Sequence, residues 1–118
     1  MKIVIIEDNP DILEIMDYIL KDEGNEVISS PDGQIMDSLA DINPDLVLMD
    51  ELLPGARGSE LCLKLKQDNT TRHIPVILVS TIPNLDKLAV KCHADGYIEK
   101  PFSISVLSEL INSYAPSN

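Results

Sequence analysis

The chain has 118 residues, 9 basic and 20 acidic side chains, and a formal net charge of -11. With 44% hydrophobic and 25% charged residues it has the balance of a folded globular protein, and its length suits one domain over residues 1–118. No apolar run exceeds four residues (Ile3 to Ile6, Leu46 to Met49, Val76 to Val79), which excludes a transmembrane helix of ~20 apolar residues and a signal-peptide core.

In chain order, strand and helix signals alternate. Lys2 to Glu7 is a short apolar run ending in acids. Asn9-Pro10 supplies an N-cap followed by proline at the first helical position. Ile12, Ile15, Met16, Ile19 and Leu20 then recur at helical spacing, and Gly24 is the expected stop. Glu26 to Ser29 reads as a half-apolar strand. Asp32-Gly33 opens a second helix with Ile35, Met36 and Leu39 on one face. Asp45 to Asp50 is an apolar strand ending in an acid, and Pro54-Gly55 is a turn. Leu61, Cys62 and Leu65 mark a third helix. Pro75 to Ser80 is another buried strand. A fourth helix carries Leu85, Leu88, Ala89 and Cys92. Gly96 to Glu99 is a short last strand. Ser103 caps a fifth helix bearing Val106, Leu107, Leu110, Ile111 and Tyr114, and Ala115 to Asn118 read as a frayed end.

Five βα units predict a parallel sheet covered by helices on both faces. Strands continuously apolar on both faces belong in the centre, and the two mixed ones belong at the edges. With sequential strands tending to be neighbours, the order is 2-1-3-4-5. This is the flavodoxin-like (βα)5 three-layer sandwich, whose ligand crevice opens between the first and third strands.

That topology gathers Glu7, Asp8, Asp50, Ser80 and Lys100 at the carboxyl edge of the sheet. An acid at one strand end is commonplace, because strands end in water. Five such groups on one edge form a constellation. Crowded carboxylates either raise a pKa or bind a cation, and hard oxygen ligands favour Mg²⁺.

Ile5-Ile6-Glu7-Asp8-Asn9-Pro10, Pro44 to Asp50, Leu53-Pro54-Gly55, Ile74 to Ser80 and Tyr97-Ile98-Glu99-Lys100-Pro101-Phe102 together resemble the receiver domain of two-component response regulators, from about residue 2 to 114. The likeness is to the single-domain, chemotaxis-regulator type. It implies that Asp50 accepts a phosphoryl group from a sensor histidine kinase or phosphotransfer protein. It implies Mg²⁺, for which Mn²⁺ could substitute, held by Asp8, Asp50 and the Leu52 backbone carbonyl, with Glu7 acting through a water. Lys100 would pair with the acyl phosphate. Ser80 and Thr81 would border the phosphoryl group, and Tyr97 would be the aromatic switch. The Lys100-Pro101 peptide would be cis. The implied output runs through the face of helix 4, strand 5 and helix 5, to a downstream protein, an output domain or a second copy of the chain. Such a protein is a phosphoacceptor regulator and not an enzyme beyond its own phosphorylation and dephosphorylation.

Several positions depart from the family pattern. Glu7 stands where Asp is usual, and Glu51 is an acid where apolar residues are common. Arg57 replaces a usual acid. Thr81 is bulkier than the usual Ala or Gly and is expected to narrow access to Asp50. His93 occupies a helix-ending position where Gly is usual, at a cost of roughly 1 kcal/mol if its backbone is left-handed. His73 and His93 have no partners at ligand spacing and read as solvated.

The alternative on the same fold is a phosphorylation-independent adaptor, or pseudo-receiver. Intact Asp8, Asp50, Ser80 and Lys100 speak against it. An Asp-nucleophile phosphatase commonly needs a second acid two residues on, where Leu52 stands. A flavodoxin needs a Ser/Thr/Gly-rich loop after the first strand, and none follows. A net charge of -11 with two arginines, Arg57 and Arg72, disfavours nucleic acid and anionic membranes. Cys62 and Cys92 read as reduced thiols on packed helix faces, and the expected location is a reducing cytoplasm.

Overall fold

A computed structural model describes residues 1–115. Residues 116–118, part of the stretch expected to fray, lie outside the described residues. Five parallel strands, β1 (Lys2–Ile6), β2 (Glu26–Ser30), β3 (Leu46–Met49), β4 (Val76–Ser80) and β5 (Gly96–Glu99), form a sheet in the order β2-β1-β3-β4-β5. The three central strands are buried along nearly their whole length, whereas β2 and β5 are largely accessible. Their composition anticipates this, because a central parallel strand is covered on both faces and must be apolar on both.

Alternate residues feed two cores. Ile3, Ile5, Leu46, Leu48, Ile77 and Val79 pack with Met16 and Leu20 of α1 (Pro10–Asp22) and with Leu107 and Ile111 of α5 (Ile104–Asn112). Val4, Ile6, Val47, Met49, Val76 and Leu78 pack with Leu39 of α2 (Leu39–Ile42), Cys62 and Leu65 of α3 (Gly58–Gln67), and Leu85 and Ala89 of α4 (Leu85–Lys91). The result is the three-layer sandwich of the flavodoxin-like fold. Among the described residues, no helix is long and apolar enough to cross a membrane.

Local signals set most helix ends. Asn9 Oδ1 accepts hydrogen bonds from the backbone N–H groups of Asp11 and Ile12, and Pro10 starts α1. Ser103 Oγ accepts from Val106 N–H at the start of α5. Gly24, at φ +92°, closes α1 in a Schellman arrangement, with Gly24 N–H on Lys21 O and Asn25 N–H on Leu20 O. His93 closes α4 in the same way at φ +62°, with His93 N–H on Val90 O and Ala94 N–H on Ala89 O. It therefore takes the left-handed backbone expected of a glycine.

The structure departs from expectation at two places and adds a small hairpin around an expected turn. The second helix is a 3₁₀ segment, Gly33–Ser38, followed by the single turn of α2. Gly33, Asp37 and Ser38 are weak helix formers, and packing of Ile35 and Met36 on the core holds the segment instead. Ile15 is 57% exposed, and Leu13 takes its place beside Ile12 and Ile19 against the core. At 100° per residue Leu13 falls nearer the Met16–Leu20 stripe than Ile15 does. The turn at Pro54-Gly55 closes a small antiparallel hairpin, Leu52–Leu53 with Ala56–Arg57.

Candidate functional site

Register brings the site together. Ile6 pairs with Met49 and Asp50 N–H bonds Ile6 O at 3.0 Å, so Glu7 and Asp50 leave adjacent strands side by side. Ser80 pairs with Glu99, and Lys100 N–H bonds Ser80 O at 3.0 Å. The Lys100-Pro101 peptide is cis. Lys100 Nζ reaches back across the crevice, donating to Glu7 Oε1 and, at 3.2 Å, to Asp50 Oδ2.

Glu7 and Asp50 are buried and Asp8 is exposed, and carboxylate oxygens of all three lie within 4.8 Å of one another. Burial pushes Glu7 from its ordinary 4.5 up to about 7, reinforced by the Asp50 carboxylate beside it. Burial alone would raise Asp50 as well. The neighbouring Glu7 carboxyl and the charge of Lys100 outweigh it and hold Asp50 below its ordinary value. Among the described residues, two buried side-chain oxygens have no partner, Glu7 Oε2 and Ser80 Oγ. Both stand at this crevice, where a buried polar atom without a partner is costly.

Leu52 lies two residues past Asp50, its side chain exposed and its N–H 3.4 Å from Asp50 Oδ1. Thr81 is exposed at the end of β4, and Tyr97 is 43% exposed on β5. Elsewhere, His73 is exposed and bonds Asn43 Oδ1 at 2.8 Å, and His93 is exposed at the end of α4. Cys62 and Cys92 are buried free thiols, and Cys62 Sγ donates to Cys92 O.

Sequence reasoning missed the role of Glu51. It is 2% exposed, and it accepts from Ser59 N–H at 2.6 Å and Ser59 Oγ at 2.9 Å. Arg57 Nη1 lies 3.7 Å away. Gly58 is a second such position. A Cβ there would lie 2.1 Å from the Asp50 carbonyl oxygen, so α3 can press on the end of β3 only with glycine at its first position. A signal for Glu51 did exist: Arg57 cannot cap α3, and Glu51 is an acid nearby with no other assignment.

An open parallel sheet with a carboxylate crevice at its switch point defines a class of α/β ligand-binding domains. Within that class, the response regulator receiver domain model matches residues 3–112, and the chain belongs to this family. Solved structures agree. The receiver domain of a signal transduction histidine kinase from Syntrophus aciditrophicus is 30% identical, with 96% of this chain and 88% of that one covered, at a TM-score of 0.84. A CheY-like receiver domain protein from Methanospirillum hungatei is 29% identical over 95% and 90% of the two chains, at 0.86. The receiver domain of a Pseudomonas aeruginosa sensor histidine kinase is 23% identical over 96% and 95%, at 0.87, and is described with a magnesium ion coordinated in its active-site cleft.

Proposed function

We propose that this receiver is a phosphoryl-accepting signalling switch with Asp50 as the acceptor. The observation that carries the reading is the placement of Asp50: a buried carboxylate at the end of a central strand, 3.2 Å from the Lys100 ammonium, whose charge helps to hold its pKa below the ordinary value. A carboxylate kept charged in a water-poor crevice is an activated nucleophile. An Asp50 oxygen attacks the phosphorus of a phosphohistidine. The O–P bond forms, the P–N bond breaks, and the electron pair leaves on the histidine nitrogen. Lys100 then faces the acyl phosphate and offsets its charge.

The residues fit a hard divalent cation. They offer three carboxylates within 4.8 Å, one of which has a buried oxygen without a partner. Asp8, Asp50 and the Leu52 carbonyl would hold Mg²⁺ or Mn²⁺, with Glu7 acting through a water. When bound, the ion supplies positive charge for the equatorial phosphoryl oxygens. Ser80 Oγ, buried and unpartnered, would donate to a phosphoryl oxygen. Thr81 would border the same group and slow its access and its hydrolysis. Inward movement of Ser80 would leave room for Tyr97 to turn inward, changing the α4–β5–α5 face, where Val90, Tyr97 and Val106 are exposed. That face would bind a downstream protein, an output domain or a second copy of the chain, and a histidine kinase or phosphotransfer protein would supply the phosphoryl group.

Intact-mass analysis after treatment with a small phosphodonor and Mg²⁺ tests the reading. Wild type gains one phosphoryl group and Asp50→Asn gains none. Full labelling of Asp50→Asn would overturn the assignment. A partner that binds both states equally and ignores Tyr97→Ala would favour the adaptor instead.

A further inference from the structure

Helix α3 begins without a cap of its own. Its N-cap residue is Arg57, whose side chain makes no capping hydrogen bond. The acceptor comes from outside the helix. Glu51 takes the Ser59 N–H on one carboxylate oxygen and the Ser59 hydroxyl on the other, and Arg57 balances its charge from the solvent side. A carboxylate at a helix N-terminus also meets the favourable end of the helix dipole. The two departures from the family pattern, an acid at 51 and a base at 57, are thus one exchange of charge.

The exchange has a geometric result. Glu51 O accepts from Gly58 N–H at 2.9 Å, so both the main chain and the side chain of Glu51 are tied to the first turn of α3. On either side of it stand Asp50 and Leu52, two of the groups assigned to the cation. Upstream, Asp50 N–H is tied to β1. Downstream, the contact from Leu52 N–H to Asp50 Oδ1 is long, at 3.4 Å, and α3 supplies the firm anchor.

We propose that Glu51 is a positioning residue: by tethering the Asp50–Leu52 segment to α3 it fixes the geometry in which that segment binds the divalent cation. The inference rests on the reading of the Glu7–Asp8–Asp50 crevice given above. Groups hydrogen-bonded directly to metal ligands typically contribute about 10- to 100-fold in affinity; Glu51 acts through the main chain it anchors, so its effect belongs at the lower end of that range.

Three variants separate tethering from capping. Glu51→Gln can still accept from Ser59 N–H and donate to its hydroxyl. Glu51→Leu removes the tether and the cap together. In Glu51→Leu/Arg57→Asp the cap returns at the helix's own N-cap position, but nothing holds Asp50–Leu52 to α3 through a side chain. Each is melted by circular dichroism and titrated with Mg²⁺ by calorimetry. The expected result is a lower melting temperature for Glu51→Leu, recovered in the double variant, with Mg²⁺ affinity about tenfold or more below wild type in both. Glu51→Gln stays within about threefold of wild type, because it preserves the tether. Wild-type affinity in the double variant, or in folded Glu51→Leu, would overturn the proposal and leave the cation site standing. Absence of Mg²⁺ binding in wild type would overturn both.

Discussion

Glu7 shows how one buried position changes a common side chain. Its proton is held more tightly in the folded chain than in the unfolded one, with a value of about 7 against an ordinary 4.5. The stability that this proton contributes is complete below about pH 4.5 and is lost as pH rises through 7. Asp50, shifted the opposite way, has already made its contribution above its ordinary range and does not vary in this window. The metal-free protein therefore melts at a lower temperature at about pH 8 than at about pH 5, and Glu7→Gln flattens that fall. Circular dichroism melts check both, since the chain has no Trp. Cys62 responds in the same sense. Burial, with Cys92 beside it, pushes the Cys62 thiol up to about 12, and the thiolate is the reactive form. A thiol reagent at mildly alkaline pH should leave both cysteines of the folded protein unmodified and titrate both after denaturation. Rapid modification of Cys62 in the folded state would contradict this.

At the scale of the element, the ends of α1 and α4 form a natural comparison. Both close with the same hydrogen bonds, but α1 places Gly24 at the left-handed position and α4 places His93 there. A side chain at that backbone angle is strained, and glycine is not. His93 is exposed, and among the described residues its imidazole has no hydrogen-bond partner to offset the strain. His93→Gly should therefore raise stability by about 1 kcal/mol in urea denaturation. A destabilised variant would mean that the imidazole makes a compensating contact. The two elements that bracket Asp50 obey a different rule. The end of β3 and the start of α3 depend on each other, through the close approach at Gly58 and the Glu51–Ser59 bonds.

For the whole molecule, the acidic crevice implies a linkage between metal binding and folding. Glu7, Asp8 and Asp50 crowd three carboxyl groups into one crevice of the native state, and the unfolded chain separates them. An ion that binds only the native state at ~100-fold excess over its Kd adds about 2.7 kcal/mol, which for a domain of this size raises Tm by roughly 10 °C. Mg²⁺ should produce a shift of that order in wild type and little in Asp8→Ala. Equal shifts in the two proteins would place the ion elsewhere.

Apolar runs and cap residues determined much of this protein from the sequence alone. Strands Ile3 to Ile6, Leu46 to Met49 and Val76 to Val79 had to be central because each is apolar on both faces. Asn9-Pro10, Gly24 and Ser103 marked helix ends because capping acts over two or three residues of chain. Once strand order followed, so did the gathering of Glu7, Asp8, Asp50, Ser80 and Lys100 on one edge. Other features depend on groups far apart in sequence. Only the tertiary structure turned Ile15 outward and Leu13 inward, broke the second helix into a 3₁₀ segment and a single turn, and laid Lys100 between Glu7 and Asp50. It also decided that Glu51 is a buried cap for a helix it does not belong to. The physical reason is that periodicity and capping propensity are local. Desolvation, charge pairing and capping from outside a helix depend on which surfaces the fold brings together.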